Sequence, residues 1–360
     1  GNREMSGVVV GVSFFATFAS TNTYIGHAGK AYEYGVAWFT MAILLVLFSW
    51  VSWRWIGGPL RRFASKWDAL TIPDFLGSRY IAGSSAPSRH PLLQASAIVI
   101  VFASLLYLLA IFKGAGHLFQ MFLNIPYEMG VGITLAIVVL YTSIGGFVSV
   151  VRTDVLQGAL MLIGSVVIFF FVTRAAGGVG AITELQKMAD KSFLFELNGG
   201  IPFAVLLGIS LSGSLKLLAD PRQLSRFYAL RDDTAVRQGK WIATLGLAIV
   251  LGCLFPVGIY THLILSEVAD TDLIVPTLVN DVSVFPLWAT DFLIVSILAA
   301  AMSSMDSVLL VAASTLYKNI VAPFRGPSRE LLWTRASVIG FSVLAALLAL
   351  NPPGDIVEIT

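Results

Sequence analysis

The chain has 360 residues, 57% of them hydrophobic and only 12% Asp, Glu, Lys or Arg, with a formal net charge of +2. Ordinary soluble domains carry about 25% charged residues, so a soluble domain is excluded, and the near-neutral balance points to no nucleic-acid partner. The single cysteine, Cys253, excludes an internal disulfide and lies in an apolar run where packing is expected.

Apolar runs of about 20 residues, each able to cross ~30 Å of hydrocarbon, recur along the chain. They predict nine spans near 5–26, 34–56, 91–121, 127–148, 153–174, 201–218, 239–264, 288–317 and 331–349. In the first, "FATFASTNTYIG" (Phe15–Gly26) crowds Ser, Thr and Asn into mid-span, where such side chains compete for backbone hydrogen bonds and interrupt a helix. The third and eighth are long enough to tilt or project beyond the bilayer. The fourth and fifth are expected to be linked by 149–152, with Gly145 and Gly146 at a membrane turn. In the sixth, "GISLSGSLK" (Gly208–Lys216) reads as a second interruption, small-residue helix packing being the plainer alternative. The eighth holds "LAAAMSSMDSVLLVAAS" (Leu298–Ser314), with Ser303, Ser304, Asp306 and Ser307 at mid-span. A carboxylate at that depth costs roughly 2.5–3.5 kcal/mol and marks an ion or substrate path.

Charge orients these spans. Arg3 and the segments near 51–90, 149–152, 219–240 and 318–335 hold 17 of the 23 Lys and Arg residues, and all fall on one side, which is therefore expected to be cytoplasmic. The opposite 265–287 loop has no Lys or Arg and carries Asp270, Asp272 and Asp281. The interrupted first and sixth spans lie five apart and enter from opposite sides. Paired interruptions of that kind are the signature of an inverted repeat with a midplane binding site. One transporter core over 1–360 follows, with a first repeat at about 5–174 and a second from about 201. The tenth span that such a repeat needs is missing, as expected of a truncated chain.

Ser303 and Ser304 stand about 15 residues into their span, near the bilayer centre, at the depth of Ala16 and Ala19 in the interrupted first span. Carbonyls freed by an unwound turn, with hydroxyls from a facing helix, make an oxygen cage suited to a hard monovalent cation. Serines that bond only their own helix are the alternative. His27, His90 and His262 fall near span ends, and no pair has the spacing of a transition-metal site. No nucleophile–base pair or phosphate-binding loop is present, so neither an enzyme nor an organic cofactor is expected.

Four stretches resemble the sodium:solute symporter family: "SFFATFASTNTYIGHAGKAYEYG" (Ser13–Gly35), "LTIPDFLGSRY" (Leu70–Tyr80), "YTSIGGFVSVVRTDVLQG" (Tyr141–Gly158) and "LAAAMSSMDSVLLVAAS". The resemblance implies an all-α membrane protein with an inverted five-plus-five helix core of the LeuT type, truncated at both ends. It implies a multi-pass carrier of the plasma membrane that imports a small organic solute with sodium by alternating access. Its partners would be solute, sodium and the lipid bilayer. By resemblance the sodium ligands are the carbonyls of Ala16, Ala19 and Ala300 and the hydroxyls of Ser303 and Ser304. The solute would lie among Phe18, Ser20, Thr23, Tyr107, Ser212, Gly213 and Ser214; Phe18 stands where proline carriers have Asp. A second sodium set would comprise Asp154, Asp306 and Ser307 with Ser303, cytoplasmic water or a neighbouring helix being the other destinations of Asp306. Arg226 matches a family arginine read as a structural anchor. Lys216 is read as reaching the cytoplasmic surface, or else as a counter-charge for a carboxylate solute. The competing function is a carrier-like sensor that binds solute and signals through a cytoplasmic module.

Overall fold

The computed structural model describes residues 3–67, 69–81, 89–197, 200–265, 268, 270–325 and 330–351. Among these the regular structure is helical, apart from one isolated parallel bridge between Met5 and Leu230. In chain order the helices are α1 (Gly7–Phe18), α2 (Thr21–Tyr24), α3 (Gly26–Tyr34), α4 (Phe39–Val51), α5 (Gly58–Trp67), α6 (Ile72–Tyr80), α7 (Pro91–Leu123) and α8 (Tyr127–Ala175). There follow α9 (Ala181–Lys187), α10 (Phe203–Ala219), α11 (Pro221–Phe227), α12 (Asp233–Thr261), α13 (Ile274–Asn280), α14 (Leu287–Thr315), α15 (Ala322–Arg325) and α16 (Glu330–Ala349). Seven described stretches are long and apolar enough to cross a membrane, and the shorter apolar helices Gly7–Phe18 and Tyr127–Leu140 stand at the other two expected spans.

The centre of the molecule is α1, α8, α12 and α14, where α1 and α8 each pack against the other three, while α7 and α16 close over α14. In α1 the packing against α12 depends on absent side chains: a Cβ on Gly7 would lie 2.1 Å from the Ala235 carbonyl oxygen. Backbones that close are held by van der Waals contact, the main force between helices in lipid. Cys253, on α12, is half-buried.

Two boundaries differ from expectation, and two joints are π-helical. The fourth and fifth spans join at Gly146, which was expected at a membrane turn but lies inside the expected fourth span, because Gly146 has φ 62° and ψ −170° and turns α8 by itself. That region of backbone space is open essentially to glycine alone. The sixth span is not interrupted at Gly208–Lys216: α10 is helical throughout, and the break comes after it, at Asp220 (φ −64°, ψ 120°). Finally, α4 passes into α5 through a π-helical turn, Ser52–Gly57, and α14 into α15 through another, Leu316–Val321.

Candidate functional site

The interruption of the first span is real and its cause is local. Helix α1 ends at Phe18, Ala19 and Ser20 are extended, and α2 begins at Thr21. The Ser20 N–H donates to Thr23 Oγ1 at 3.1 Å, and the Thr23 N–H donates to the Ser20 carbonyl at 2.9 Å. In a continuous helix these amides would have closed on the Ala16 and Ala19 carbonyls four residues back. Both carbonyls are therefore released from the helical ladder, at residues that are fully buried.

Opposite this break lies α14, where Ala300, Ser303, Ser304, Asp306 and Ser307 are all buried. The Ser304 hydroxyl donates to the Thr17 carbonyl at 3.3 Å, so the middle of α14 touches the end of α1. One helical step round, Ser303 donates to Asp154 Oδ1 at 2.6 Å, and Ser13 of α1 donates to Asp154 Oδ2 at 2.6 Å. Into the same cluster reaches Arg226 of α11, only 1% exposed. Its guanidinium donates to Asp154 Oδ2 (3.1 Å), Thr17 Oγ1 (2.8 Å), Ser307 Oγ (2.5 Å) and Ser13 Oγ (3.2 Å). Four helices are thus tied at one buried ion pair. Such a pair holds in low dielectric only when its remaining hydrogen-bonding capacity is filled, as it is here.

The sequence-predicted residues divide. Ala16, Ala19, Ala300, Ser303 and Ser304 lie on the facing parts of α1 and α14, and Ser20 and Thr23 form the break itself, beside a partly buried Phe18. Asp154, Ser303 and Ser307 come together, but around Arg226. Asp306 points elsewhere: its Oδ1 accepts from Thr142 of α8 at 2.8 Å, which is the neighbouring-helix destination. The remaining solute residues are not gathered at the break. Tyr107 on α7 lies under the Arg222 guanidinium, 3.9 Å from its ring centre. Ser212 is exposed, and Ser214 donates back to the Ser210 carbonyl at 2.7 Å, the ordinary resort of a membrane serine. Gly213 faces Met41 of α4, the helix against which α10 mainly packs. Lys216, on the same helix, is exposed.

Where α10 stays away from α1, the short helix after it, α11, reaches it. With its amide turned to suit both groups, Gln223 donates to the Phe14 carbonyl and accepts from the Phe18 N–H, at 3.1 and 3.3 Å. The signal for this short helix was present in "ADPRQL". Proline forces the residue before it out of the α region and is at home in a first helical turn. Asp220 serves as cap, accepting from the Arg222 N–H at 2.8 Å. A cavity of about 290 Å³ leads to this helix, bordered by Phe147, Pro221, Ser225, Arg226, Leu310 and Ser314. Arg3, Thr71 and Tyr228 also line it, so it lies toward the basic end of the molecule.

Known proteins resemble this chain over most of its length. The model of the sodium:solute symporter family matches residues 1–355. The sodium/pantothenate symporter of Haemophilus influenzae is 26% identical over 99% of this chain and 73% of its own length. The osmoregulated proline transporter of Bacillus subtilis is 30% identical over 100% of this chain and 73% of its own. Among solved structures, a sodium-coupled sialic acid symporter in a substrate-bound outward-open state superposes with a TM-score of 0.81 at 21% identity. That match covers 97% of this chain and 75% of the other. MhsT, in complex with L-phenylalanine, gives 0.66 at 13% identity, over 96% and 78%. A broken first helix packed on a serine-bearing eighth, together with a match over nearly every residue, places this chain in the sodium:solute symporter family.

Proposed function

We propose that this sodium-coupled symporter of a small organic solute binds its coupling ion between the broken end of α1 and the middle of α14. The ligands are the Ala16, Ala19 and Ala300 carbonyls and the Ser303 and Ser304 hydroxyls. The observation that carries this reading is the pair of α1 carbonyls without their helical amides, beside a helix whose Ser304 already bonds α1. Neutral, hard oxygens suit sodium and offer little to softer metals. The solute binds beside the break, at Phe18, Ser20 and Thr23, so an ion that ties α1 to α14 also shapes its pocket. Each ligand then raises the other's affinity by the same factor. Release proceeds through the cavity that ends at Arg226.

We assign one sodium to the cycle. A second ion on Asp154, Ser303 and Ser307 would have to displace the guanidinium that already neutralises Asp154 and holds Ser307, and Asp306 is engaged with Thr142. The curated relatives are named for pantothenate and proline, both small carboxylates, and a small carboxylate is the solute class we assign. The test is uptake of radiolabelled pantothenate, proline and other small carboxylates into proteoliposomes, under a sodium or a choline gradient. Accumulation of one of them in sodium alone supports the reading. Equal uptake in choline contradicts the coupling, and sodium-driven uptake confined to neutral sugars contradicts the solute class.

A further inference from the structure

Away from the ion and solute path, a groove of about 670 Å³ runs between the π-helical turn Ser52–Gly57, α5 and the first turns of α12. We propose that it holds the headgroup of one anionic phospholipid from the leaflet at the basic end of the molecule. Four cations line it, Arg54, Arg62, Arg237 and Lys240, against a single acid, Asp233. That acid is already spoken for: Arg61 lies 2.6 Å and Arg62 3.5 Å from its two carboxylate oxygens. Arg54, Arg237 and Lys240 are left without a carboxylate partner among the described residues.

The setting is that of a membrane–water boundary. Trp55 and Trp241 are 65% and 55% exposed, at the ends of the expected spans 34–56 and 239–264, and indoles gather where hydrocarbon meets headgroups. The Lys240 ammonium lies over two of them, 5.4 Å from the Trp50 ring centre and 5.0 Å from that of Trp241. Exposed indoles beside unpaired cations suit a molecule with both a phosphate and acyl chains. A free anion would use the charges and leave the indoles idle. A zwitterionic lipid would lack an acid for its ammonium, since Asp233 is taken. The π turn contributes directly, burying Trp53 while leaving Arg54 and Trp55 exposed beside it.

The experiment places the whole chain in nanodiscs of phosphatidylcholine with a minor fraction of phosphatidylglycerol, and counts retained lipids by native mass spectrometry. Wild type should retain one phosphatidylglycerol in preference to phosphatidylcholine. In the variant Arg54→Gln/Arg237→Gln/Lys240→Gln, three charges each worth roughly fivefold at an anionic surface are lost, so the preference should fall by about a hundredfold. Arg174→Gln/Lys187→Gln, at the opposite end, should leave it unchanged. Equal retention in the triple variant would overturn the proposal. So would displacement of the lipid by millimolar inorganic phosphate, which would assign the groove to a free anion. An unchanged circular dichroism spectrum and melting curve for the triple variant guard against misfolding, and none of its three side chains makes an ion pair among the described residues.

Discussion

Arg226 is enclosed by α1, α8 and α14, and its charge is balanced by Asp154 inside the membrane-spanning part of the chain. Removing one partner of a buried, hydrogen-bonded pair leaves an uncompensated charge and costs about 3–5 kcal/mol, whereas removing both costs much less. Arg226→Gln and Asp154→Asn should each lower the melting temperature sharply, and the double variant should recover more than half of the loss. Simple additivity of the two losses in a thermal-shift cycle would show that the pair is not coupled. The same residues explain why Asp154, Ser303 and Ser307 come together while Asp306 takes the neighbouring-helix destination, one of the alternatives that the sequence left open. On α14, Asp306 and Ser307 are adjacent residues and do not face the same way: Ser307 turns toward Arg226, and Asp306 toward Thr142.

At the scale of elements, two joints lend themselves to test. In α8, Gly146 holds a conformation closed to other residues, so Gly146→Ala should cost about 1–3 kcal/mol with no lost contact, since nothing lies within 4 Å of a Cβ built there. A melting temperature equal to wild type would mean that the kink can relocate. The second joint is the clasp between α6 and the π turn after α14. Asn319 Nδ2 donates to Asp74 Oδ1 at 2.9 Å, the Lys318 ammonium lies 2.7 Å from Oδ2, and Thr71 Oγ1 donates to Asn319 Oδ1 at 2.9 Å. Burial alone would raise the Asp74 carboxyl, but Lys318 and then Asn319 outweigh it and hold the group below its ordinary value of 3.8. A depressed folded-state value means the clasp is fully stabilised above that pH and is lost as pH falls through the lower folded value. Amide exchange at 71–80 should therefore speed up only below about pH 3.8 in wild type, and already at neutral pH in Asp74→Asn. Exchange insensitive to both would dissociate the carboxylate from the clasp.

These joints also show what could be read beforehand. The break after α1 was legible because Ser20 and Thr23 have a local use for each other's backbone groups. The break in the second half was misread because Gly and Ser in α10 serve packing: Gly213 admits Met41, and Ser214 bonds within its own helix. The true signal, an aspartate followed by proline, stood a few residues on. Tyr107 was assigned to the solute by family resemblance alone. Its partner, Arg222, comes from more than a hundred residues away, and no local pattern announces such a contact.

Over the whole molecule, two helix breaks meet a continuous helix at one depth: α1 gives carbonyls, α14 gives hydroxyls, and α11 brings the arginine that balances Asp154. In this arrangement sodium is the tie between the half of the pocket made by α1 and the rest of the core, and the coupling of ion to solute follows from that shared helix. The most direct test is the sodium dependence of solute uptake by Ser303→Ala/Ser304→Ala in proteoliposomes. Loss of two of five oxygen ligands should raise the half-saturating sodium concentration at least about tenfold, roughly 1.4 kcal/mol, with the Hill coefficient near one in both proteins. A double variant that keeps the wild-type sodium dependence would contradict the site, and a wild-type coefficient approaching two would contradict the single ion.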